Sequence, residues 1–553
     1  MDGQAQRSGP TRRQFLGYTS AAAAGAVAAS APAAPAAATP RDGDGGRFRR
    51  EEATIAELAK AQADGRVTAR GLVDAYLRRI ARIDLGGLRL NSVIEVNPEA
   101  AAIADRLDAE RRRSGPRGPL HGIPILVKDN YATRDRMETT AGSLALVGTR
   151  VPRDAFTVER LRRAGAIILG KANLSEWANF RGNQSSSGWS GRAGQTGNPY
   201  VLDRNPSGSS SGSAAAVAAS LCAAALGTET DGSIVSPASA CSIVGIKPTL
   251  GLTSRSGVIP IAHSQDVTGP MARTVADAAT LLGALTGVDP RDPDTKASRG
   301  HAHADYRRFL DPDGLRGARL GVWREGVFGS SPEADAIGEA ALRELRRLGA
   351  TLVDPANVPD VDAAGELEFT VLKCEFKDDI AAYLRELGGR SVPRTLADLI
   401  RFNNEHARQE LRWFGQEVFE QSQATGGTRD PAYRDALTRS RRLMRDAVDG
   451  VLRRHDLDAI VSLTGAPPWT TDLVNGDNFL TSSSTPAAVS GYPSITVPAG
   501  YAAGELPVGI SFIGARWSEP VLIKLASGFE HGTRVRHAPR FLPTLATAEV
   551  VPR

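Results

Sequence analysis

The chain contains 553 residues, of which 41% are hydrophobic, 5% aromatic and 23% charged, and its formal net charge is +5. This composition is typical of a globular protein. The arginines that supply the positive charge are scattered, without a lysine-rich tract or a basic stripe, and aromatic residues that could stack on bases are few. The sequence therefore argues against a nucleic-acid-binding protein.

The N-terminal segment has the features of an export signal. Residues 11–16, Thr-Arg-Arg-Gln-Phe-Leu, resemble the twin-arginine motif of bacterial signal peptides, and an alanine-rich run and small residues at 36–38 follow. We predict a twin-arginine signal peptide at 1–38, a charged linker at 39–53 and a catalytic domain at 54–553. The mature protein would then lie in the cell envelope or outside a bacterium; the alternative is a low-complexity tail. No later segment reaches the roughly 18 apolar residues of a membrane span.

Helix and strand patterns alternate along the rest of the chain. Thr54 and Glu57 form a capping-box pattern that opens a helix. Further helices are predicted at 68–84, from 97, and at 154–165, 274–285, 333–349 and 519–532, and strands at 122–128, 166–170, 318–323, 350–354, 458–463, 493–500 and 508–514. From about 360 to 455 the pattern is mainly helical, which we interpret as an insertion. The alternation predicts an α/β fold in one large domain.

The three cysteines, Cys222, Cys241 and Cys374, are irregularly spaced and give no disulfide framework. Cys222 lies in an apolar run and is interpreted as part of the core. No cluster of cysteine and histidine has metal-ligand spacing. We therefore expect neither a metal nor another cofactor.

A serine-rich stretch, Asn-Pro-Ser-Gly-Ser-Ser-Ser-Gly-Ser at 205–213, precedes an alanine-rich run and has three interpretations. A phosphate-binding loop would need a lysine after Gly212, and none follows. The pattern Gly-x-Ser-x-Gly would make Ser210 the nucleophile of a Ser-His-Asp α/β-hydrolase, with His531 or His537 as its base. That nucleophile must follow a strand, whereas proline-rich loop sequence precedes it here. The esterase remains an alternative.

The third interpretation is a serine–lysine relay. Lys128 ends the apolar strand predicted at 122–128, where burial of its charge is costly and lowers its pKa. A neutral lysine amine can act as a base toward a hydroxyl. Ser209 would pass the proton between Lys128 and a second serine, Ser233.

Five motifs make the chain similar to the amidase signature family over almost all of residues 54–553. They are Gly-Pro-Leu-His-Gly-Ile-Pro-Ile-Leu-Val-Lys-Asp-Asn at 118–130, Gly-Lys-Ala-Asn-Leu-Ser-Glu-Trp at 170–177, the serine-rich stretch, residues 227–249 and residues 264–274. The resemblance implies one large α/β domain with a mixed β-sheet covered by helices on both sides. It also implies hydrolysis of linear carboxamides to a carboxylic acid and ammonia or an amine, by way of an acyl-enzyme.

The resemblance assigns roles residue by residue. Lys128 matches the catalytic lysine, Ser209 the bridging serine that follows a cis peptide bond, and Ser233 the nucleophile. The backbone amides of Thr230, Asp231, Gly232 and Ser233 match the oxyanion hole.

Asp231 departs from the pattern, because glycine is usual there, and so do Ser207 and Ser211, which stand where the family commonly has glycine. The sequences at 183–192 and 228–234 are similar to those of exported bacterial peptide amidases, which implies a small-molecule or peptide amide as substrate. An alternative is the glutaminase component of a tRNA-dependent amidotransferase, a cytosolic protein with partner chains; another is an inactive binding protein on this scaffold. We expect the segment at 360–455 and the loops at 180–195 to determine which substrate is bound.

Overall fold

The computed structural model describes residues 48–389 and 392–546. The signal peptide predicted at 1–38 and most of the predicted linker lie outside these residues. Within them, no helix combines the length and the hydrophobicity needed to cross a bilayer.

A mixed β-sheet of eleven strands forms the centre of the domain. Together with a separate pair of short strands, the described residues form thirteen strands. They are β1 (Val93–Val96), β2 (Pro124–Lys128), β3 (Ile167–Ala172), β4 (Trp189–Ser190), β5 (Gly194–Gln195), β6 (Ala224–Glu229), β7 (Val244–Lys247), β8 (Val267–Ala272), β9 (Arg319–Val322), β10 (Thr351–Val353), β11 (Ala459–Leu463), β12 (Ser494–Ala502) and β13 (Leu506–Ile513). Their order in the sheet is β1-β3-β2-β6-β8-β7-β12-β13-β11-β9-β10, and β4 pairs with β5 separately.

Helices cover this sheet on both sides. They are α1 (Ile55–Ala63), α2 (Ala69–Arg79), α3 (Ala100–Ser114), α4 (Phe156–Arg163), α5 (Ser211–Ala218), α6 (Val235–Ala240), α7 (Val275–Leu285), α8 (Pro332–Arg347), α9 (Val361–Glu386), α10 (Leu396–Glu405), α11 (Ala407–Glu410), α12 (Glu417–Ala424), α13 (Pro431–His455), α14 (Thr485–Ser490) and α15 (Glu519–Thr533). A π-helix spans Ile80–Leu85, and 3₁₀ turns span Leu144–Leu146, Glu176–Asn179, Pro293–Ser298, Tyr306–Phe309 and Gly427–Arg429. The α/β fold class predicted from the sequence is confirmed.

The sheet brings the ends of two predicted motifs together. β2 runs parallel to both β3 and β6, with Val127 opposite Leu226. The carboxyl ends of neighbouring parallel strands meet at the same edge of a sheet. Lys128 at the end of β2 therefore lies beside the last residues of β6, although a hundred residues separate it from Thr228.

The serine-rich stretch enters α5, whose residues are all buried. A side chain at Gly212 would place its Cβ 2.3 Å from the carbonyl oxygen of Ser92 and 2.4 Å from that of Asn173. Glycine and the alanines after it therefore let this helix approach the sheet closely, which fixes the serines that precede it.

The predicted helices and strands are present with shifts of a few residues at their ends, including the capping box in which Glu57 N donates to Thr54 Oγ1 at 3.2 Å. Four strands of the large sheet, β1, β6, β7 and β8, were not predicted. β6 reads Ala-Ala-Leu-Gly-Thr-Glu and β8 reads Val-Thr-Gly-Pro-Met-Ala. Alanine, glycine and proline are poor indicators of a strand, so burial between neighbours, rather than local preference, sets these strands.

Candidate active site

The amine of Lys128 lies in a fully buried polar pocket at the end of β2. Its Nζ is 2.7 Å from Ser209 Oγ, 2.8 Å from Thr228 Oγ1 and 3.4 Å from the Thr228 carbonyl oxygen. A neutral amine has two N–H donors and one lone pair, and a serine hydroxyl can donate as well as accept. Ser209 can therefore give its proton to the lone pair of Lys128, while Thr228 accepts a hydrogen bond from the amine of Lys128.

Burial lowers the pKa of Lys128 to about 7, because the charged amine loses its hydration there. The carboxyl groups of Asp266 and Glu229 act in the opposite direction. Lys128 thus titrates near neutral pH, in the range that suits a general base.

Two further lysines, Lys171 and Lys247, are also fully buried, and burial lowers the pKa of each, that of Lys247 to about 8. Lys171 Nζ donates to the Tyr131 carbonyl oxygen at 2.7 Å, and Lys247 Nζ to that of Tyr492 at 2.7 Å. Lys171 also donates to Thr139 Oγ1 at 2.9 Å, but of the three amines only that of Lys128 contacts a serine hydroxyl among the described residues. This contact distinguishes Lys128 from the other two.

Ser209 is buried and follows a cis peptide bond from Gly208, as the family resemblance implied. Its carbonyl oxygen accepts from Ser175 N at 3.1 Å. A Cβ at Gly208 would lie 2.3 Å from Ser175 Oγ, so the segment between β3 and β4 presses directly on this turn. The position of the Ser209 hydroxyl is therefore set by tight packing on both sides.

Ser233 lies in a turn between β6 and α6 (residues 229–235), which we call the nucleophile turn after the role that the family resemblance implies for Ser233. Glu229 Oε2 accepts from the backbone N–H of Ile234 at 2.8 Å and of Val235 at 3.0 Å, which closes the turn. The Ser233 carbonyl oxygen accepts from Ser210 N at 3.2 Å. The backbone of Ser233 therefore contacts the residue that follows Ser209.

The turn presents backbone donors without acceptors. In residues 48–389 and 392–546, the N–H groups of Asp231, Gly232 and Ser233 donate to no protein oxygen. Gly232 has a φ of +80°, a conformation that glycine adopts without strain. Consecutive free N–H groups of this kind are suited to bind an oxyanion.

Thr230 and Asp231 anchor the turn through their side chains. Thr230 Oγ1 donates to Asp266 Oδ1 at 2.5 Å, and Asp266 Oδ2 accepts from the backbone of Ile261 and Ala262. Asp231 Oδ2 accepts from Thr485 Oγ1 at 2.7 Å. The Asp231 that departs from the family pattern is thus part of a hydrogen-bonded scaffold.

Thr228 is a site residue that sequence reasoning missed. Its hydroxyl accepts from Lys128 Nζ and, at 3.0 Å, from Asn130 Nδ2. Asp129 Oδ2 accepts from Thr140 Oγ1 and from Gly142 N. Asp129 and Asn130 therefore orient neighbouring groups. The sequence feature that could have identified Thr228 as a site residue is its position in the motif at 227–249, four residues before Gly232.

The alternative nucleophile Ser210 is held by backbone. Its Oγ donates to the Thr228 carbonyl oxygen at 3.2 Å and accepts from Thr228 N at 3.2 Å. The strand that a nucleophile elbow requires does not precede it, since 205–207 is irregular. His537 instead stacks on Tyr501, with ring centroids 4.0 Å apart. His531 is exposed in the last turn of α15, and the Ser210 hydroxyl forms hydrogen bonds only with Thr228 among the described residues. The esterase alternative therefore lacks both its strand and its base.

His263 lies near the motifs but forms an ion pair on the surface. Its Nδ1 is 2.9 Å from Asp379 Oδ2 and 3.4 Å from Glu375 Oε2. The hydrogen bond with Asp379 raises the pKa of His263 to about 8 against the opposing effect of burial. A protonated imidazole has no lone pair for a metal ion, so we interpret this group as an ion pair.

Comparison with known proteins agrees with this geometry. The model of the family described as Amidase matches residues 71–523. The native peptide amidase from Stenotrophomonas maltophilia is 50% identical, with a TM-score of 0.84, over 89% of this chain and 99% of that one. A probable amidase of Arabidopsis thaliana is 44% identical over 503 residues, which are 90% of this chain and 93% of that protein.

The amidotransferase relatives are more distant. A glutamyl-tRNA(Gln) amidotransferase subunit from Halorhodospira halophila is 37% identical over 495 residues, which are 87% of this chain and 97% of that protein. The resemblance inferred from the motifs is confirmed. The chain belongs to the amidase family and is a hydrolase that acts on amides.

Proposed function

We propose that this amidase cleaves linear carboxamides through an acyl-enzyme on Ser233, with Ser209 and Lys128 as its proton relay. The observation that carries the proposal is the 2.7 Å contact between the buried amine of Lys128 and the hydroxyl of Ser209. A pKa of about 7 leaves a large share of this amine neutral at neutral pH, so it can accept a proton from a serine.

Each proton has a donor and an acceptor in this scheme. Ser233 Oγ attacks the amide carbonyl carbon and gives its proton to Ser209 Oγ, while the proton of Ser209 passes to Lys128 Nζ. The carbonyl oxygen becomes an oxyanion, which accepts from the free N–H groups of the nucleophile turn. The C–N bond then breaks, and the relay protonates the departing ammonia or amine. Water hydrolyses the Ser233 ester and releases the carboxylic acid.

We further propose peptides with a C-terminal carboxamide as the substrates. The support is the 50% identity to the S. maltophilia peptide amidase, against 37% to the amidotransferase protein of H. halophila. The glutaminase component of an amidotransferase would prefer glutamine.

Substitutions in the relay test its roles. Ser233→Ala is expected to abolish ammonia release, because no nucleophile remains. Lys128→Ala and Ser209→Ala are each expected to lower kcat on the order of 10²–10⁴-fold, the usual contribution of general acid–base catalysis. Ammonia release is measured by a coupled assay, with circular dichroism to establish that each variant is folded.

Labelling of the nucleophile gives the matching control. A fluorophosphonate probe is expected to label the wild type at Ser233, and to label Ser210→Ala at the same residue. Full activity of Ser233→Ala, or labelling at Ser210 instead, would contradict the assignment.

Activity is expected to depend on the protonation of Lys128. Because burial lowers its pKa to about 7, the amine is charged below and neutral above that pH. The neutral amine is the base, so kcat/KM should rise with pH through about 7. A profile measured from pH 5 to 9 tests this. An acid limb that is absent, or that lies near pH 10, would contradict a neutral-lysine base.

The pH dependence of the free energy of unfolding reports the pKa of Lys128 independently of activity. Between about pH 7 and 10 the folded amine is neutral while the unfolded one is protonated, so the unfolded state binds more protons. The free energy of unfolding should then rise with pH by up to about 1.4 kcal/mol per pH unit from this group. Lys128→Met should lose that contribution, whereas Lys524→Met, at a half-exposed position, should keep it.

Substrate class is tested by comparing amides. Ammonia release is expected to be faster from short peptides with a C-terminal carboxamide than from free glutamine, acetamide or benzamide, as judged by kcat/KM. A preference for glutamine would favour the amidotransferase alternative and contradict the peptide-amide proposal. Ser233→Ala serves as the blank for each substrate.

We also propose that residues 1–38 direct export by the twin-arginine route, on the basis of Arg12 and Arg13 and the alanine-rich run after them. A folded fluorescent reporter fused to residues 1–38 is expected to reach the periplasm of a bacterial host. The paired substitution Arg12→Lys and Arg13→Lys should retain the reporter in the cytoplasm. Export that is unchanged by this pair would contradict the twin-arginine route.

A further inference from the structure

Two carboxyl groups, one buried and one partly buried, are neighbours at the nucleophile turn. Asp231 belongs to the turn, and Glu368 extends from α9 with 6% of its surface exposed. Asp231 Oδ2 accepts from Thr485 Oγ1 at 2.7 Å, whereas its buried Oδ1 has no hydrogen-bond partner within the part of the chain that the structure describes. Glu368 is a neighbour of Asp231, since each carboxyl group acts on the pKa of the other. A proton on one of the two groups lets it donate to the other.

The surroundings place that proton on Glu368. Burial raises the pKa of Glu368 well above its usual range, and the negative charge of Asp231 raises it further. Burial raises the pKa of Asp231 as well, but the hydroxyl groups of Ser484 and Thr485 and the charge of Lys247 from β7 favour its charged form. Glu229 is the other carboxyl group of the turn, and burial raises its pKa also. Two neighbouring buried carboxyl groups of this kind share one proton.

Gln265 connects Glu368 to the backbone of the turn. Gln265 Nε2 donates to Glu368 Oε1 at 2.5 Å and to the Thr230 carbonyl oxygen at 3.3 Å. Glu368 therefore reaches the turn by two routes, through the side chain of Asp231 and through the carbonyl of Thr230. Both routes end at the peptide units whose N–H groups are free.

We propose that Glu368 is a positioning residue for amide hydrolysis: its protonated carboxyl group donates to Asp231 and, with Gln265, fixes the N–H groups of residues 231–233 toward the oxyanion. This inference rests on the proposed catalytic role of Ser233. The proton on Glu368 leaves the pair of Glu368 and Asp231 with a single negative charge. This explains how the turn accommodates an aspartate where the family usually has glycine.

Charge explains why the proton matters. The oxyanion develops beside the turn, and every extra negative charge nearby opposes it. When Glu368 ionises at high pH, it loses its hydrogen bond to Asp231 and the two carboxylates repel each other. The turn then loses its attachment to α9 and the oxyanion gains an adverse neighbour. Activity should fall in alkaline solution for this reason.

The test is the pH dependence of kcat/KM from pH 6 to 10.5 for three variants. Glu368→Gln retains an uncharged donor for Asp231 and an acceptor for Gln265 at every pH. It should keep kcat/KM within about threefold of the wild type near pH 7.5 and lose the alkaline decrease. Glu368→Ala removes both hydrogen bonds, and kcat should fall roughly 10²-fold, as for a misplaced catalytic group, with KM little changed.

Glu375→Gln is the matched control. Glu375 lies two turns along the same helix, is also buried, and accepts from Tyr433 Oη at 2.7 Å and from Ser264 N at 2.9 Å. Its substitution should leave the alkaline limb in place. An alkaline limb of the wild type that persists unchanged in Glu368→Gln, or a folded Glu368→Ala variant that keeps the wild-type kcat, would overturn the proposal.

These outcomes are separate from failure of the relay itself. The acid limb near pH 7 belongs to Lys128 and should persist in Glu368→Gln. If Ser233→Ala remained active, the proposed function would fail whatever Glu368 does. If Glu368→Ala did not fold, the pH profile of Glu368→Gln would still decide the question.

Discussion

The contact between the amine of Lys128 and the hydroxyl of Ser209 is the interaction on which the rest of the site depends. A buried ammonium loses its hydration, and the carboxyl groups nearest to Lys128, those of Asp266 and Glu229, favour its charged form too weakly to compensate, so the pKa of the amine falls to about 7. A base of which a large share is neutral at neutral pH is thereby available without a histidine. Its two remaining contacts, both to Thr228, hold the lone pair toward Ser209.

The architecture supplies this contact through parallel strands. β2 and β6 end at the same edge of the sheet, which brings Lys128 to the start of the nucleophile turn. The serine-rich stretch reaches the same edge because α5, with glycine and alanine, packs closely on the sheet. Polar residues then fix the turn from three sides: Glu229 from within it, Asp266 through Thr230, and Glu368 of α9 through Gln265.

The sequence was sufficient for the fold class and for most helices, because capping boxes and helical periodicity are local signals. It was insufficient for β6 and β8, whose alanine, glycine and proline have low strand propensity and which are strands because their neighbours bury them. The site divides in the same way. Lys128 and Ser209 could be named from their motifs, whereas the contacts of Thr228 and the Asp231–Glu368 pair join segments a hundred residues or more apart.

The protonation state of Lys128 tests the central claim most directly. The chain labelled with ¹³C-lysine can be titrated by NMR, with the Lys128→Met variant identifying the resonance of this residue among those of the buried lysines. We predict a titration midpoint of about 7 for the folded wild type. A midpoint near 10.4, the value of a hydrated lysine, would contradict the account.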